Sequence, residues 1–316
     1  MSLLRFNSAK EWIEQSGEPR KPTVVTIGNF DGMHLGHQEI LKRVLRRAHR
    51  GEHVAAVLTF FPHPVRVLRP AEAPPLLMTL EQRLAAFALA GIDAALVLPF
   101  NEALSKMSPE AFVGKYLVEA MRAESVLVGE NFRFGHRQQG NVDTLQSLAE
   151  GFGFEVEIVT SLAINGTVVS STAVRACIGE GRMQDAECML GRPFTLAGCV
   201  APGSGLGRKL VVPTLNLETG QEMLPKTGVY VTETILGEST FPSVTNVGLR
   251  PTFNGSRVTI ESHLFEFGRQ LTSGEMTVRF LSRLRDEMKF SGPALLREQV
   301  LKDIEGAKEF HRVRKR

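Results

Sequence analysis

The sequence predicts two domains: an α/β domain on a parallel sheet, then a small β-barrel domain closed by a C-terminal helix. Three observations carry this. The chain has 316 residues, and domains run to about 100–200 residues, so two are expected. From about residue 22, β-branched apolar runs alternate with amphipathic stretches, the pattern of a parallel sheet with helices on both faces. After about residue 187, short β-branched runs separated by Gly and Pro take over, as in a small barrel. The domains are therefore expected at 1–187 and 188–316.

Thr23–Ile27 reads as a buried strand. Gly36–Arg50 reads as an amphipathic helix, with Ile40, Leu41, Val44 and Leu45 opposite a basic face. Val54–Phe60 is a second strand. Thr79 and Gln82 form a capping box for a helix ending before Gly91. Ala94–Leu98 is a third strand, and Ser108-Pro109-Glu110 places a cap, an N1 proline and an acid at a helix start. Val126–Val128, a helix from Asn141 and a strand over Phe154–Val159 complete the first domain. In the second, strands are expected at Leu210–Val212, Val229–Thr232, Ser243–Thr245, Val258–Ile260 and Met276–Val278. A helix over about Pro293–Phe310 follows.

Composition narrows the classes. A hydrophobic fraction of 43% and a charged fraction of 22% are ordinary for a globular protein. The net charge of +3 announces no nucleic-acid partner. The basic clusters at Lys42–Arg50 and Arg312–Arg316 read as a solvated helix face and a terminus. Cys177, Cys188 and Cys199 are odd in number and lack Cys-x-x-Cys spacing, so a reducing cytoplasm is expected. No signal-peptide pattern and no run of ~18 apolar residues is evident, so no membrane partner is expected. A homo-oligomer is left open.

Two constellations carry chemistry. Gly28-Asn29-Phe30-Asp31-Gly32-Met33-His34-Leu35-Gly36-His37 follows the first strand and opens a helix. Ligands in parallel sheets bind beyond the carboxyl ends of strands. Gly28, Gly32 and Gly36 admit close backbone approach, and the helix start favours phosphate. His34 and His37, three apart, can face one spot and donate to charge developing on a phosphate. A metal-binding pair is disfavoured because no third ligand is evident. Later, Asn165-Gly166 marks a hairpin turn before Ser170-Ser171-Thr172, with Arg175 one turn in. That arrangement is either an anion site or an ordinary cap with a surface arginine.

The first motif, with Thr59–Pro64, Gly129–Gly135 and the Ser171-Thr172–Arg175 segment in order, resembles the bacterial bifunctional riboflavin kinase/FMN adenylyltransferase (FAD synthetase) family. Gly205–Asn216, Asn246–Phe253, Glu261 and Arg285–Phe290 extend the likeness to nearly the whole chain. The resemblance implies a nucleotidyltransferase-like first domain and a kinase barrel. The reactions implied are phosphorylation of riboflavin to FMN by ATP, and adenylylation of FMN to FAD with release of pyrophosphate.

Site roles follow from the same resemblance. Gly28, Phe30, Asp31, Gly32, Gly36, Ser171, Thr172, Arg175, Gly205, Gly207 and Arg208 are expected to hold nucleotide phosphates. His34 and His37 stabilise the transferring phosphate. His63, Asn131, Phe132, Arg285 and Phe290 are expected at flavin. Read alone, His63 could equally be a rigid-loop residue and Phe132 a core aromatic. Thr214 and Asn216 lie two apart on a strand, share a side and are expected to ligate Mg²⁺ with ATP. Glu261 is expected to be the catalytic base of the kinase. Two rivals remain at this point: a chain retaining one of the two activities, and a flavin- or RNA-binding regulator on an enzyme scaffold.

Overall fold

The computed structural model of the chain describes residues 3–17, 19–202, 212–252, 255–268 and 271–314. The chain forms two compact units, Met1–Ser170 and Ser171–Arg316.

The first unit is built on six parallel strands: β1 (Leu4–Phe6), β2 (Thr23–Ile27), β3 (Val54–Phe61), β4 (Ala94–Pro99), β5 (Ala123–Gly129) and β6 (Glu155–Val159). Their order is β1-β4-β3-β2-β5-β6. Every residue of β2 is buried, as expected for a strand covered on both faces. Its alternation sends Val25 and Ile27 into one apolar cluster and Val24 into another. The covering helices are α1 (Ala9–Gln15), α2 (Leu35–Gly51), α3 (Pro64–Leu68), α4 (Leu80–Ala90), α5 (Glu102–Ser105), α6 (Pro109–Phe112) and α7 (Val142–Phe152). A π-helical stretch, Val113–Ala120, continues α6.

Local chemistry sets the helix ends. Thr79 and Gln82 make both bonds of the capping box that opens α4, and Gly91 at φ 89° ends it. Ser108 caps α6 ahead of Pro109, and Asn141 caps α7. The hairpin β7 (Ala163–Ile164) to β8 (Thr167–Val168) turns on Asn165 and Gly166, both left-handed at φ 50° and 77°. The basic face of α2 is answered by acids: Arg43 pairs with Glu39 (2.9 Å) and with Glu157 on β6 (3.1 Å), and Arg47 pairs with Glu155.

The second unit opens with α8 (Ser171–Glu180) and α9 (Met183–Leu190). Six strands then close an antiparallel barrel: β9 (Phe194–Ala201), β10 (Leu215–Glu218), β11 (Gly228–Leu236), β12 (Ser239–Thr252), β13 (Gly255–Leu264) and β14 (Glu275–Arg285). Their order is β10-β13-β12-β11-β14-β9. Along β11 the side chains alternate. Tyr230 packs edge-on against Phe280, and Thr232 joins the buried hydroxyls of Ser243 and Thr245. Val229 and Val231 instead form an apolar cluster with Ile304 and Ala307 of α10 (Pro293–Arg314).

The strand expected at Leu210–Val212 differs. Leu210 and Val211 lie outside the described residues, and Val212 is not in a strand. Pairing begins at Leu215, past Pro213, which has no N–H to give to a ladder. β9 was not anticipated. Its Gly198 weakens the strand pattern, yet a Cβ there would stand 1.9 Å from the Glu218 carbonyl oxygen.

Candidate active sites

In the first unit, the chain leaves β2 at Gly28, whose N–H donates to the Leu58 carbonyl (3.1 Å). The loop then makes three left-handed steps, Phe30 (φ 51°), Gly32 (φ 85°) and Met33 (φ 46°). Phe30 is buried and packs on Phe87 and on the His37 ring, anchoring the loop in the core. The Asp31 carboxylate is buried and accepts from the N–H groups of Leu77 (3.1 Å) and Met78 (3.0 Å). It thus pins the loop to the segment entering α4. At Gly32 a Cβ would stand 2.6 Å from Leu77 Cδ1, so both space and backbone call for glycine.

His34 caps α2, its Nδ1 accepting from the His37 N–H (3.3 Å). An accepting Nδ1 places the ring proton on Nε2, where it can be donated. The His34 and His37 rings stack with centroids 3.6 Å apart. Gly36 makes room for this, since a Cβ there would lie 3.2 Å from His34 Nδ1. Burial holds His34 down to about 4. Burial, and then repulsion from His34, push His37 well below the usual imidazole range. At neutral pH both rings are uncharged N–H donors. The buried atoms His37 Nδ1 and Asn29 Oδ1 have no hydrogen-bond partner among the described residues. A site that receives a polar substrate explains such orphans.

Of the residues expected at flavin, His63, Asn131 and Phe132 follow the carboxyl ends of β3 and β5, the strands that flank β2. His63 caps α3, its Nδ1 accepting from Val65 N–H (3.3 Å). Asn131 is exposed after β5 and donates to Ser161 (3.4 Å). Phe132 is half-buried and stacks on buried Phe134 (5.3 Å, 14° between planes), so it serves the core and still shows a face. Ser171, Thr172 and Arg175 lie in the opening turns of α8, in the second unit.

In the second unit, Glu261 on β13 pairs directly with Asn216 on β10 and with Asn246 on β12. Directly opposed residues of antiparallel strands point to one side, so two amides flank the carboxylate. The row continues through Val229 to Arg285. Thr214 stands two residues before Asn216, just outside β10 rather than on a strand with it, and the segment ahead of it is held by His263 Nδ1 against the Pro213 carbonyl (2.8 Å). A cavity of about 310 Å³ opens over this face. Its polar wall includes Thr214, Asn246, Glu261 and Glu287, and its apolar wall Val244, Phe290, Leu296 and Val300. A few polar groups in an apolar cleft of this size suit a small organic ligand. Gly248 keeps the polar end open: a Cβ there would stand 2.9 Å from Glu287 Oε1 and 3.0 Å from Asn246 Nδ2.

A hydroxyl and an amide oxygen beside a carboxylate form a hard-oxygen set that fits Mg²⁺. Among the described residues no group of three or more His, Cys, Asp or Glu could hold a metal. The donor set therefore suits an ion that keeps waters and substrate phosphate oxygens as ligands. Gly205, Gly207 and Arg208 lie outside the described residues.

Arg285 lines the cavity, and its guanidinium is committed to another residue of the same lining. It forks onto Asp303 of α10 (Nε–Oδ1 2.9 Å, Nη2–Oδ2 2.7 Å), and Gln299 also donates to Asp303 (2.9 Å). Sequence reasoning overlooked Asp303, and in the first unit Arg83, a fully buried arginine of α4. Both fall at helical spacing among apolar residues, Leu80-x-x-Arg83-Leu84-x-x-Phe87 and Val300-x-x-Asp303-Ile304-x-x-Ala307. A charge on a buried stripe is the signal that could have found them.

Comparison with known proteins covers both units. The FAD synthetase family profile matches residues 17–173, and the riboflavin kinase profile matches residues 190–311. A Haemophilus influenzae protein named bifunctional riboflavin kinase/FMN adenylyltransferase is 35% identical over 288 residues, covering 90% of this chain and 93% of the relative. Proteins of the same name from Escherichia coli K12 and Pseudomonas fluorescens are 32% and 36% identical, covering 93% and 90% of this chain and 95% and 92% of the relatives. A crystal structure of a Streptococcus pneumoniae protein named a macrolide-efflux protein matches with a TM-score of 0.86 at 26% identity, covering 98% of this chain and 99% of that one. Among the described residues of this chain, no helix is long and apolar enough to cross a membrane.

Proposed function

This chain belongs to the bifunctional riboflavin kinase/FMN adenylyltransferase family, and on that premise we infer that it makes FAD from riboflavin in two ATP-dependent steps. It is a riboflavin kinase and an FMN adenylyltransferase. The observation that carries this reading is the presence of both family domains, each with its own polar constellation: the stacked histidines above β2, and Glu261 between two amides on the barrel.

We assign the adenylyl transfer to the first unit. An oxygen of the FMN phosphate attacks the α-phosphorus of ATP, the bond to the β-phosphate oxygen breaks, and pyrophosphate leaves. The nucleophile is already ionised, so no base is needed. His34 Nε2–H and the His37 ring donate to the phosphate as charge builds on it, which is electrostatic stabilisation by preorganised donors. Asp31 holds the loop through Leu77 and Met78, a supporting role rather than a phosphate contact. His63, Asn131 and Phe132 are assigned to the flavin, and the Ser171-Thr172 hydroxyls with Arg175 to nucleotide phosphate.

We assign the kinase reaction to the second unit. Glu261 takes the proton of the riboflavin hydroxyl as its oxygen attacks the γ-phosphorus, and ADP leaves. Asn216 and Asn246 orient the carboxylate. Thr214 and Asn216 would hold Mg²⁺, which when bound neutralises charge on the ATP phosphates. We assign Phe290, which lines the cavity, to the flavin, and Arg285 to support of the site through Asp303. Gly205, Gly207 and Arg208 are assigned to the ATP phosphates. The three cysteines are free thiols, in keeping with a cytoplasmic protein, and a boundary near residue 187 remains our reading of the domains. The partners are small molecules. Product chromatography after incubating the pure protein with riboflavin, ATP and Mg²⁺ tests this: FMN should appear first and FAD after it. Failure to form either product would overturn the reading.

A further inference from the structure

We propose that Arg83 is a positioning residue for adenylyl transfer, tying the loop assigned to ATP to the loop assigned to the flavin and so setting the distance between the two substrates. The inference rests on the adenylyltransferase reading of the first unit.

Arg83 is 2% exposed, on the face of α4 that also buries Leu80, Leu84 and Phe87. Its Nη1 donates to the Asn29 carbonyl (2.7 Å) and to Thr59 Oγ1 (3.3 Å), and its Nη2 to the Phe60 carbonyl (3.5 Å). Asn29 lies in the Gly28–His37 loop. Thr59 and Phe60 end β3 and lead into Pro62-His63. β2 and β3 are adjacent parallel strands with Ile27 beside Leu58, so both loops leave the sheet at the carboxyl edge, where ligands bind. Asn29 then turns toward α2 and Phe60 toward α3. One planar fork holds acceptors on both. The same helix entrance grips the first loop again, since Leu77 and Met78 donate to Asp31.

The chemistry of the residue supports a role beyond packing. Burying a guanidinium is costly, and burial lowers its proton affinity with only partial compensation from Asp31. Its Nε has no partner among the described residues. A site that needed only packing would take an apolar side chain of similar volume without that cost. Lysine cannot substitute, because an ammonium on a flexible stem does not fork between two loops. Adenylyl transfer joins two bound substrates in line. A misplacement of about 1 Å costs on the order of 10²-fold in such reactions.

The test uses the full-length protein and steady-state kinetics of both reactions. Arg83→Lys and Arg83→Met should each lower kcat for FAD formation by roughly 10–100-fold and raise KM for both FMN and ATP. Riboflavin phosphorylation on the same chain should be unchanged. Arg83→Met keeps the core filled but leaves the Asn29 and Phe60 carbonyls without their donor, so its thermal transition should fall modestly and the kinetics are compared well below it. Normal FAD kinetics in either folded variant would overturn the proposal. So would a lowered kcat with both KM values unchanged and a lowered thermal transition, which marks a loss of folded protein alone. Unfolding of the first unit in both variants would overturn it too, making Arg83 a stability residue. Wild-type protein that makes no FAD from FMN and ATP would instead remove the underlying reading.

Discussion

Acidification probes the histidine pair without touching any substrate. His34 is buried and neutral in the folded protein, held to about 4, whereas an unfolded histidine titrates near 6.5. Between these values the unfolded chain binds a proton that the folded chain refuses, so acid favours unfolding. The contribution is fully present above pH ~6.5 and is lost as pH falls toward the folded value. The gap of about 2.5 units corresponds to about 3 kcal/mol at most. For a unit of this size that is a fall of roughly 6–12 °C in the thermal transition. His34→Asn isolates the effect, because asparagine retains an acceptor for the His37 N–H and caps helices well. The wild-type transition should fall relative to that of the variant between pH 6.5 and 4. Histidine NMR should give His34 a protonation midpoint near 4. A midpoint near 6.5, or parallel pH profiles of the two proteins, would refute the argument.

Two further outcomes concern the kinase unit. Asp303→Asn removes the charge that holds Arg285, and losing charge-assisted hydrogen bonds in a part-buried pair costs about 1.5–3 kcal/mol. Since Leu296 and Val300 of the same helix wall the cavity, KM for riboflavin should rise while FAD formation from supplied FMN is retained; thermal melting and separate assays of the two reactions check both. Gly248→Ala places a methyl group against the tips of the Glu287 and Asn246 side chains, which can swing aside, so the thermal transition should hold while riboflavin phosphorylation alone falls, as melting and product assays on the variant will read.

Much of this was legible in the sequence because the signals were local. The Thr79–Gln82 capping box, the Ser108 and Asn141 caps and the Asn165-Gly166 turn each depend on a few adjacent residues, and each stands where expected. Thr23–Ile27 reads as a buried strand and is one, residue for residue. The illegible part depends on distant partners. Nothing near Asp31 announces that its carboxylate serves Leu77 and Met78. Nothing near Arg285 announces Asp303, 18 residues on. The flanking amides of Glu261 come from two other strands, Asn246 from the preceding arm of its hairpin and Asn216 from the more distant β10, and only register places them beside it. Gly198 hid a strand by meeting a requirement of close backbone approach.

The central claim is that two separate sites on one chain perform two successive reactions. Product analysis of His37→Ala and Glu261→Gln, each given riboflavin or FMN with ATP and Mg²⁺, tests it most directly. His37→Ala should convert riboflavin to FMN and stop there. Glu261→Gln should lose FMN formation by roughly 10²–10⁴-fold, the range for loss of a general base, yet still turn supplied FMN into FAD. A folded variant of either kind that loses both reactions, or that performs both at the wild-type rate, would contradict the account.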